Sequence, residues 1–285
     1  MTRWTSTVNL VLRRLALVAG LTLAAAFLSA CGGGDDDATD TPPTATGSAA
    51  PAAQETAAPA SPTAVSPTAT AVDPERAEAE ALLKAAALQL EDLPEGFTLD
   101  EESFSTNEEA ASQSSDSPGS FTLADMNRFQ RILGYDATYS NLEALTTSAV
   151  FEGTLFLQTT ATVYRNPDGA GEAFEFVRAQ TSDAEAAQVF EESFAISAGV
   201  EVRDASILPV SIPELGDDRL AIEIRVSAHS TDLDEDFDFV AQLVGVRNDR
   251  VIGSFTVVTV NGPAPVEELE GLARKLDERM QGALG

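Results

Sequence analysis

The stretch "RLAIEIRVSAH", Arg219 to His229, decides the fold because apolar and polar residues alternate along it with a period of two. Such alternation is typical of a strand with one buried and one exposed face. Two stretches rich in β-branched residues follow it, "DFVAQLVGVRN" at 238–248 and "RVIGSFTVVTV" at 250–260, and "SILPVSI" at 206–212 precedes it. Short turn sequences separate the four, so the pattern predicts a C-terminal antiparallel β-meander.

Helical patterns flank this meander along the chain. The first is expected to begin at Asp73, to place Leu82, Ala86 and Leu90 on one face, and to end before Pro94. A last helix is expected after Gly262, with an apolar face formed by Val266, Leu269, Leu272 or Ala273, Leu276 and Met280.

The segment between the first helix and the strands is more mixed. Residues 101–120 are polar and Ser-rich and are predicted to be a mobile loop. "TLADMNRFQRILG" at 122–134 predicts a second helix, with Thr122 and Asp125 as its capping box and Gly134 as its C-terminal cap.

The middle of the chain alternates between the two kinds of element. Strands are predicted at 135–139 and 151–164, and helices at 168–181 and 182–198. Together these patterns indicate an α+β fold, with a mostly antiparallel sheet that ends in a β-meander and is covered on one face by helices.

The amino-terminal residues predict an export signal. Residues 1–30 contain Arg3, Arg13 and Arg14 without an acidic residue, and the apolar run that follows is too short to span a bilayer comfortably. "LSAC", which ends this region at Cys31, resembles the lipobox of bacterial lipoproteins. The resemblance implies that the signal is cleaved before Cys31 and that its thiol carries a lipid, which anchors the protein in the cell membrane facing outside the cytoplasm. A plain secretory signal followed by a chance cysteine is the alternative.

The mature chain is predicted to have two parts. Residues 31–72 contain the lipidated cysteine and an Ala, Thr, Pro and Ser-rich tether that is expected to be disordered, and residues 73–285 form the globular domain. Because the signal removes three arginines and no acid, its loss takes the formal charge from -29 to about -32. This charge excludes nucleic acid as a natural partner. Since Cys31 is the only cysteine, no disulfide is expected.

"DLPEGF" at 92–97, together with the meander and the closing "PVEELEGLARKLDERM" at 265–280, resembles mycobacterial LpqN-type lipoproteins and the extracellular sensor domain of PknH-type kinases. These share a Mog1/PsbP-like fold, and the resemblance implies a binding or sensing module. The kinase domains are disulfide-bonded, which this chain cannot reproduce, so no ligand residue is transferred.

"TDLDEDFDF" at 231–239 is the most acidic motif of the domain and has two interpretations. As an EF-hand loop it fails, because Phe237 and Leu243 stand where glycine and glutamate are required. As an extended segment it is an exposed connection between strands. A weak calcium site is the second interpretation, with its carboxylates at Asp232, Asp234, Asp236 and Asp238.

Two other sets of residues bear on function. His229, the single histidine, has no nucleophile motif near it in sequence and is predicted to be a surface residue. An apolar ligand pocket between sheet and helices has candidates in Phe174, Phe190, Phe194, Phe239 and Phe255. A filled core is the competing explanation for these phenylalanines.

The sequence therefore favours a membrane-anchored extracytoplasmic lipoprotein that binds an unknown ligand or envelope protein, needs no cofactor and is not an enzyme. A solute-binding component of a transporter is an alternative, although it would need two α/β lobes. An envelope hydrolase is a weaker alternative, because it would need a nucleophile and a base.

Overall fold

A single sheet of seven strands organises the part of the chain that the computed structural model describes, residues 74–114, 121–141, 154–181, 200–231 and 234–285. The strands are β1 (Phe97–Ser105), β2 (Arg131–Asn141), β3 (Thr154–Tyr164), β4 (Val200–Pro209), β5 (Asp218–Ser230), β6 (Glu235–Asn248) and β7 (Val251–Val260). The helices are α1 (Pro74–Ala86), α2 (Asn107–Ser114), α3 (Leu123–Arg128), α4 (Pro167–Thr181) and α5 (Val266–Leu284), with a 3₁₀ turn at Leu90–Asp92. The helix predicted at 182–198 lies outside the described residues.

The strand order is β1-β2-β3-β7-β6-β5-β4, and every neighbouring pair is antiparallel. The predicted meander is confirmed, since β4 to β7 are consecutive neighbours. The strands predicted at 135–139 and 151–164 are confirmed as parts of β2 and, from Thr154, of β3. The pairing of β3 with β7 joins the three N-terminal strands to the meander.

The first face of the sheet is covered by α1 and α5. The predicted apolar face of α5 is confirmed for Leu269, Leu272, Ala273, Leu276 and Met280, which are all buried, whereas Val266 is exposed. These residues form one core cluster with every second residue of the strands that they cover, among them Tyr135, Leu157, Val244 and Phe255.

Helices also pack on the second face, so the prediction that one face is covered was wrong. Val163 belongs to the core under α1 and α5, whereas the next residue, Tyr164, packs with α3 and α4. Consecutive strand residues point to opposite faces, which places the two clusters on opposite sides of the sheet. A third cluster, on the second face of the meander, includes Ile222, Phe239 and Val258.

The predicted loop at 101–120 is replaced by ordered structure over its described part. Residues 97–105 form the edge strand β1, and 107–114 form α2. As an edge strand β1 has neighbours on one side, and most of its side chains are exposed. Its acidic residues Asp100, Glu101 and Glu102 suit such an edge because charge discourages pairing with another chain.

The first helix ends earlier than predicted, at Ala86. Beyond it the chain inserts Leu88 into the core, where its amide donates to Thr159 Oγ1 and its carbonyl accepts from the Tyr139 hydroxyl. These bonds satisfy the backbone outside a helix, and Leu90, predicted on the buried face, is 45% exposed.

The second predicted helix is confirmed at its start but is shorter than expected. Thr122 and Asp125 form the predicted capping box, and α3 ends at Arg128. The left-handed residue after it is Gln130, with a φ of 59°, and Gly134 lies within β2. The β-branched and aliphatic residues after Gln130 pair with β3 instead of extending the helix.

We predict that Leu276→Ala lowers the free energy of unfolding by about 2–5 kcal/mol, because Leu276 is fully buried between α5 and the sheet. Urea unfolding followed by circular dichroism measures this change. Glu278→Ala, an exposed residue of the same helix, is the matched control and should change stability by less than about 0.5 kcal/mol. Equal effects of the two substitutions would contradict the packing described for α5.

Candidate functional site

A polar surface interrupts the second face of the sheet between its two apolar clusters. We call it the polar floor, and it consists of Asp136, Thr138, Gln158, Thr160, Ser254 and Thr256. Strand register places these residues in two adjacent rows across β2, β3 and β7, since Asp136 lies opposite Thr160 and Thr160 opposite Ser254. The next row along the strands contains Ser140, Phe156 and Val258, and the last two pack with the cluster on the second face of the meander.

Most hydrogen-bonding groups of the polar floor point away from other side chains. Thr160 Oγ1 and Ser254 Oγ lie 2.7 Å apart and share one hydrogen bond. No side-chain hydrogen bond joins Thr138, Gln158 or Thr256 to another described residue. The four residues contributed by β2 and β3 are half-buried, whereas Ser254 and Thr256 are buried.

Arg131 lies beside this surface because of a local irregularity. The register of β2 against β3 shifts between Arg131 and Leu133, and such a bulge redirects a side chain. The guanidinium packs over Gly134, where a Cβ would come within 2.1 Å of Nη2. It donates through Nη2 to Ser105 Oγ at 3.0 Å and through Nη1 to Asn107 Oδ1 at 2.9 Å.

Two buried atoms of opposite charge lack partners here. Neither Arg131 Nε nor Asp136 Oδ1 has a hydrogen-bond partner within the described ranges. Buried polar atoms are normally satisfied, and each one left unsatisfied costs about 1–3 kcal/mol. The pair therefore marks a place where the protein gives up stability, which is typical of binding and catalytic sites.

The electrostatics of the cluster follow from burial. Burial raises the pKa of Asp136 to about 6, although nearby Arg131 opposes the shift. Burial also lowers the pKa of Arg131 and raises that of Tyr164, the residue opposite Arg131 on β3, to about 12. Near neutral pH the site holds a buried guanidinium and a carboxylate that is costly to ionise.

The described part of the acidic motif comprises the exposed connection between β5 and β6 and the first residues of β6. Because β6 begins at Glu235, Asp236 and Asp238 are strand residues, and Asp234 sits in the turn with a φ of 55°. Asp234, Asp236 and Asp238 therefore do not form one continuous extended row. Asp232 lies outside the described residues, and the metal hypothesis stays a prediction.

The described aspartates of this motif are engaged by neighbouring side chains. Asp236 contacts Arg203 Nη1 at 2.6 Å and His229 Nδ1 at 2.7 Å, and these partners lower its pKa. Asp238 accepts from Ser227 at 2.7 Å. Within the described ranges there is no group of three residues placed to hold a metal ion.

His229 is less exposed than predicted, with 19% of its side chain accessible. It lies between two carboxylates, since Nε2 is 3.6 Å from Asp234 Oδ1 on the side opposite Asp236. Ser227, which shares its face of β5, directs its hydroxyl to Asp238. This arrangement ties the hairpin together and does not pair the histidine with Ser227 as a nucleophile.

The described phenylalanines of the predicted pocket are separated. Phe174 lies in α4 and packs in the cluster that contains Tyr164, Phe239 lies in the cluster on the second face of the meander, and Phe255 belongs to the core on the first face. Val244 lies opposite Phe255 and is an odd number of residues from Phe239 on β6, so Phe239 and Phe255 point to opposite sides of the sheet. These three do not line one pocket. Phe190, Phe194 and the lipidation candidate Cys31 lie outside the described residues.

Sequence reasoning missed the polar floor, although part of the signal was present. The pattern of "QTTATVY" at 158–164 predicts a strand, and its Thr and Gln residues are the part of the polar surface that is visible in the sequence. Asp136, an acid inside a predicted strand, was the other sign. The sequence does not contain the order and register of the strands. The polar floor exists only because β2, β3 and β7 are neighbours in the sheet.

The comparisons with known proteins found a weak similarity to a solved structure. No family model matches the chain, and no curated protein matches it. Among solved structures the chain is similar to the extracellular domain of PknH from Mycobacterium tuberculosis, with a TM-score of 0.39 and 8% sequence identity. That match covers 70% of this chain and 95% of the other. At this level the likeness supports no inference about ligand or mechanism.

We predict that Asp136→Asn raises the free energy of unfolding at pH 8 by about 1–2 kcal/mol. The pKa of Asp136 is higher in the folded protein than its ordinary value, so this carboxyl favours folding at acid pH and costs stability as pH rises from about 4 through 6. The asparagine removes that cost and flattens this part of the pH dependence. Urea unfolding of both proteins at several pH values measures this difference in the free energy of unfolding.

Asp204→Asn, an exposed aspartate of β4, is the matched control for the loss of one charge. Its stability should change by less than about 0.5 kcal/mol at every pH. A loss of stability in Asp136→Asn at pH 8 would contradict the prediction, because it would mean that attraction to Arg131 outweighs the cost of burying the carboxylate.

Proposed function

We propose that this protein is a lipoprotein of the outer side of the cell membrane and works as a binding or sensing module, not as an enzyme. The observation that carries the binding function is the pair of unpartnered buried atoms, Arg131 Nε and Asp136 Oδ1, beside the half-buried polar floor. A site that costs stability and presents free donors and acceptors suits a ligand that would satisfy them.

The anchoring part of the proposal rests on the sequence around Cys31. The arginines, apolar run and "LSAC" match the order of a lipoprotein signal. Two or more acyl chains, each contributing about 0.8 kcal/mol per buried methylene, give a stable anchor. None of the helices in the described part of the chain is sufficiently long and apolar to cross a bilayer.

A binding function is favoured over catalysis by what surrounds the candidate groups. Among the described residues, no serine, cysteine or histidine side chain beside Asp136 or Arg131 belongs to a hydrogen-bonded pair of nucleophile and base. His229 is tied to two aspartates at another edge of the sheet. A transporter's solute-binding component is disfavoured because the described strands form one sheet and not two lobes.

We predict that Cys31→Ala releases the protein from the membrane fraction into the soluble fraction, because it removes the thiol to which the lipid would be attached. Fractionation of cells followed by immunoblotting measures the distribution. Ser29→Ala is the matched control, since it keeps a small residue in the motif and leaves Cys31 in place. Membrane association that persists in Cys31→Ala would refute lipid anchoring at this cysteine.

A further inference from the structure

We propose that the polar floor, with Arg131 beside it, is a binding site for a neutral hydroxyl-bearing small molecule of the saccharide class. This inference rests on the proposed binding function and specifies its ligand. The site has an acceptor at Asp136 Oδ1 and a donor at Arg131 Nε, neither of which is satisfied by a described residue. A hydroxyl group donates and accepts, so adjacent hydroxyls of one molecule satisfy both.

The charges of the site exclude the other simple ligand classes. An anion would meet the Asp136 carboxylate and the field of a chain with a formal charge of -29. A cation would be placed beside Arg131, whose guanidinium is 6% exposed and poorly screened by water. A neutral ligand avoids both penalties, and its hydrogen bonds to the two charged groups are stronger than neutral ones.

The remaining groups of the floor complement hydroxyls. Thr138, Gln158 and Thr256 lie in one row, opposite one another across three strands, and Thr160 with Ser254 lies in the next. The Thr160–Ser254 bond uses one hydroxyl hydrogen and leaves the other for a ligand. Strands about 4.8 Å apart and rows about 6.6 Å apart give a footprint of roughly 10 by 7 Å. This footprint suits one or two sugar rings.

The position of the floor also limits what can bind. The row of Ser140, Phe156 and Val258 borders it on one side, and the row of Thr162 and Ile252 borders it on the other, before the cluster of Phe121, Phe129 and Phe176. A polar stripe with apolar residues toward both ends favours a compact ligand whose polar edges face the sheet.

The test is titration of the purified full-length protein at pH 7.5 with glucose, mannose, galactose, arabinose, trehalose and N-acetylglucosamine, followed by protein NMR. Glucuronate and glucosamine serve as anionic and cationic counterparts. We expect at least one neutral sugar to bind and to shift the amide signals of Thr138, Gln158, Thr160 and Thr256. The charged counterparts should bind at least tenfold more weakly.

Two floor variants locate the site. Asp136→Asn should weaken binding at least tenfold, because it replaces a charged acceptor by a neutral amide. Thr138→Val should weaken it several-fold while keeping the shape of the side chain. Two control variants should leave the affinity for the sugar unchanged. Asp204→Asn removes a carboxylate from β4, and Thr98→Val removes a threonine hydroxyl from the exposed part of β1.

Either of two results overturns the inference: none of the neutral sugars shifts the floor signals, or a sugar binds with unchanged affinity in Asp136→Asn. Native mass spectrometry of the same preparation distinguishes this failure from failure of the binding function. A co-purifying ligand of another class would refute the saccharide assignment and leave the binding function standing. If neither the sugars nor any co-purifying molecule binds, both proposals are refuted.

Discussion

The antiparallel pairing of β3 with β7 is the constraint on which the rest of the structure depends. It joins strands that are about 95 residues apart in sequence, as Thr160 opposite Ser254 illustrates, and it converts a three-stranded unit and a meander into one sheet. Buried hydrogen bonds reinforce this junction. Thr159 donates to the Ser254 carbonyl at 3.1 Å and accepts from the Leu88 amide, so the chain that leaves α1 is fixed at the same point.

The same pairing creates the polar floor, because it brings polar residues of β2 and β3 beside those of β7. One face of this junction is a packed core with Phe255 and Leu157, and the other carries Asp136 and Thr160. A sheet face that served stability alone would be apolar there, as it is in the two apolar clusters of the same face. The unsatisfied atoms of Arg131 and Asp136 cost stability at this place, and such exceptions concentrate at functional sites.

Sequence periodicity predicted the meander, α4 and α5 because each has one dominant pattern, and their buried faces follow it. It failed where long-range contacts decide the structure. The segment 101–105 reads as a loop because an edge strand has little to bury, and it becomes β1 through its pairing with β2. Leu88 leaves its helix because Tyr139 and Thr159 offer better partners. The polar floor requires the register of three strands, which no local pattern contains.

The distribution of basic residues sets Arg131 apart. In this strongly acidic chain, many described arginines pair with carboxylates: Arg247 contacts Asp217 and Asp218, and Arg279 contacts Glu91 and Asp92. Arg131 instead donates to the neutral oxygens of Ser105 and Asn107, although Asp136 lies on the same face. A closer approach of this pair would have repaid part of the desolvation cost of both. Because Arg131 Nε and Asp136 Oδ1 each lack a hydrogen-bond partner among the described residues, a ligand that bonds to both gains free energy that the fold itself has not used.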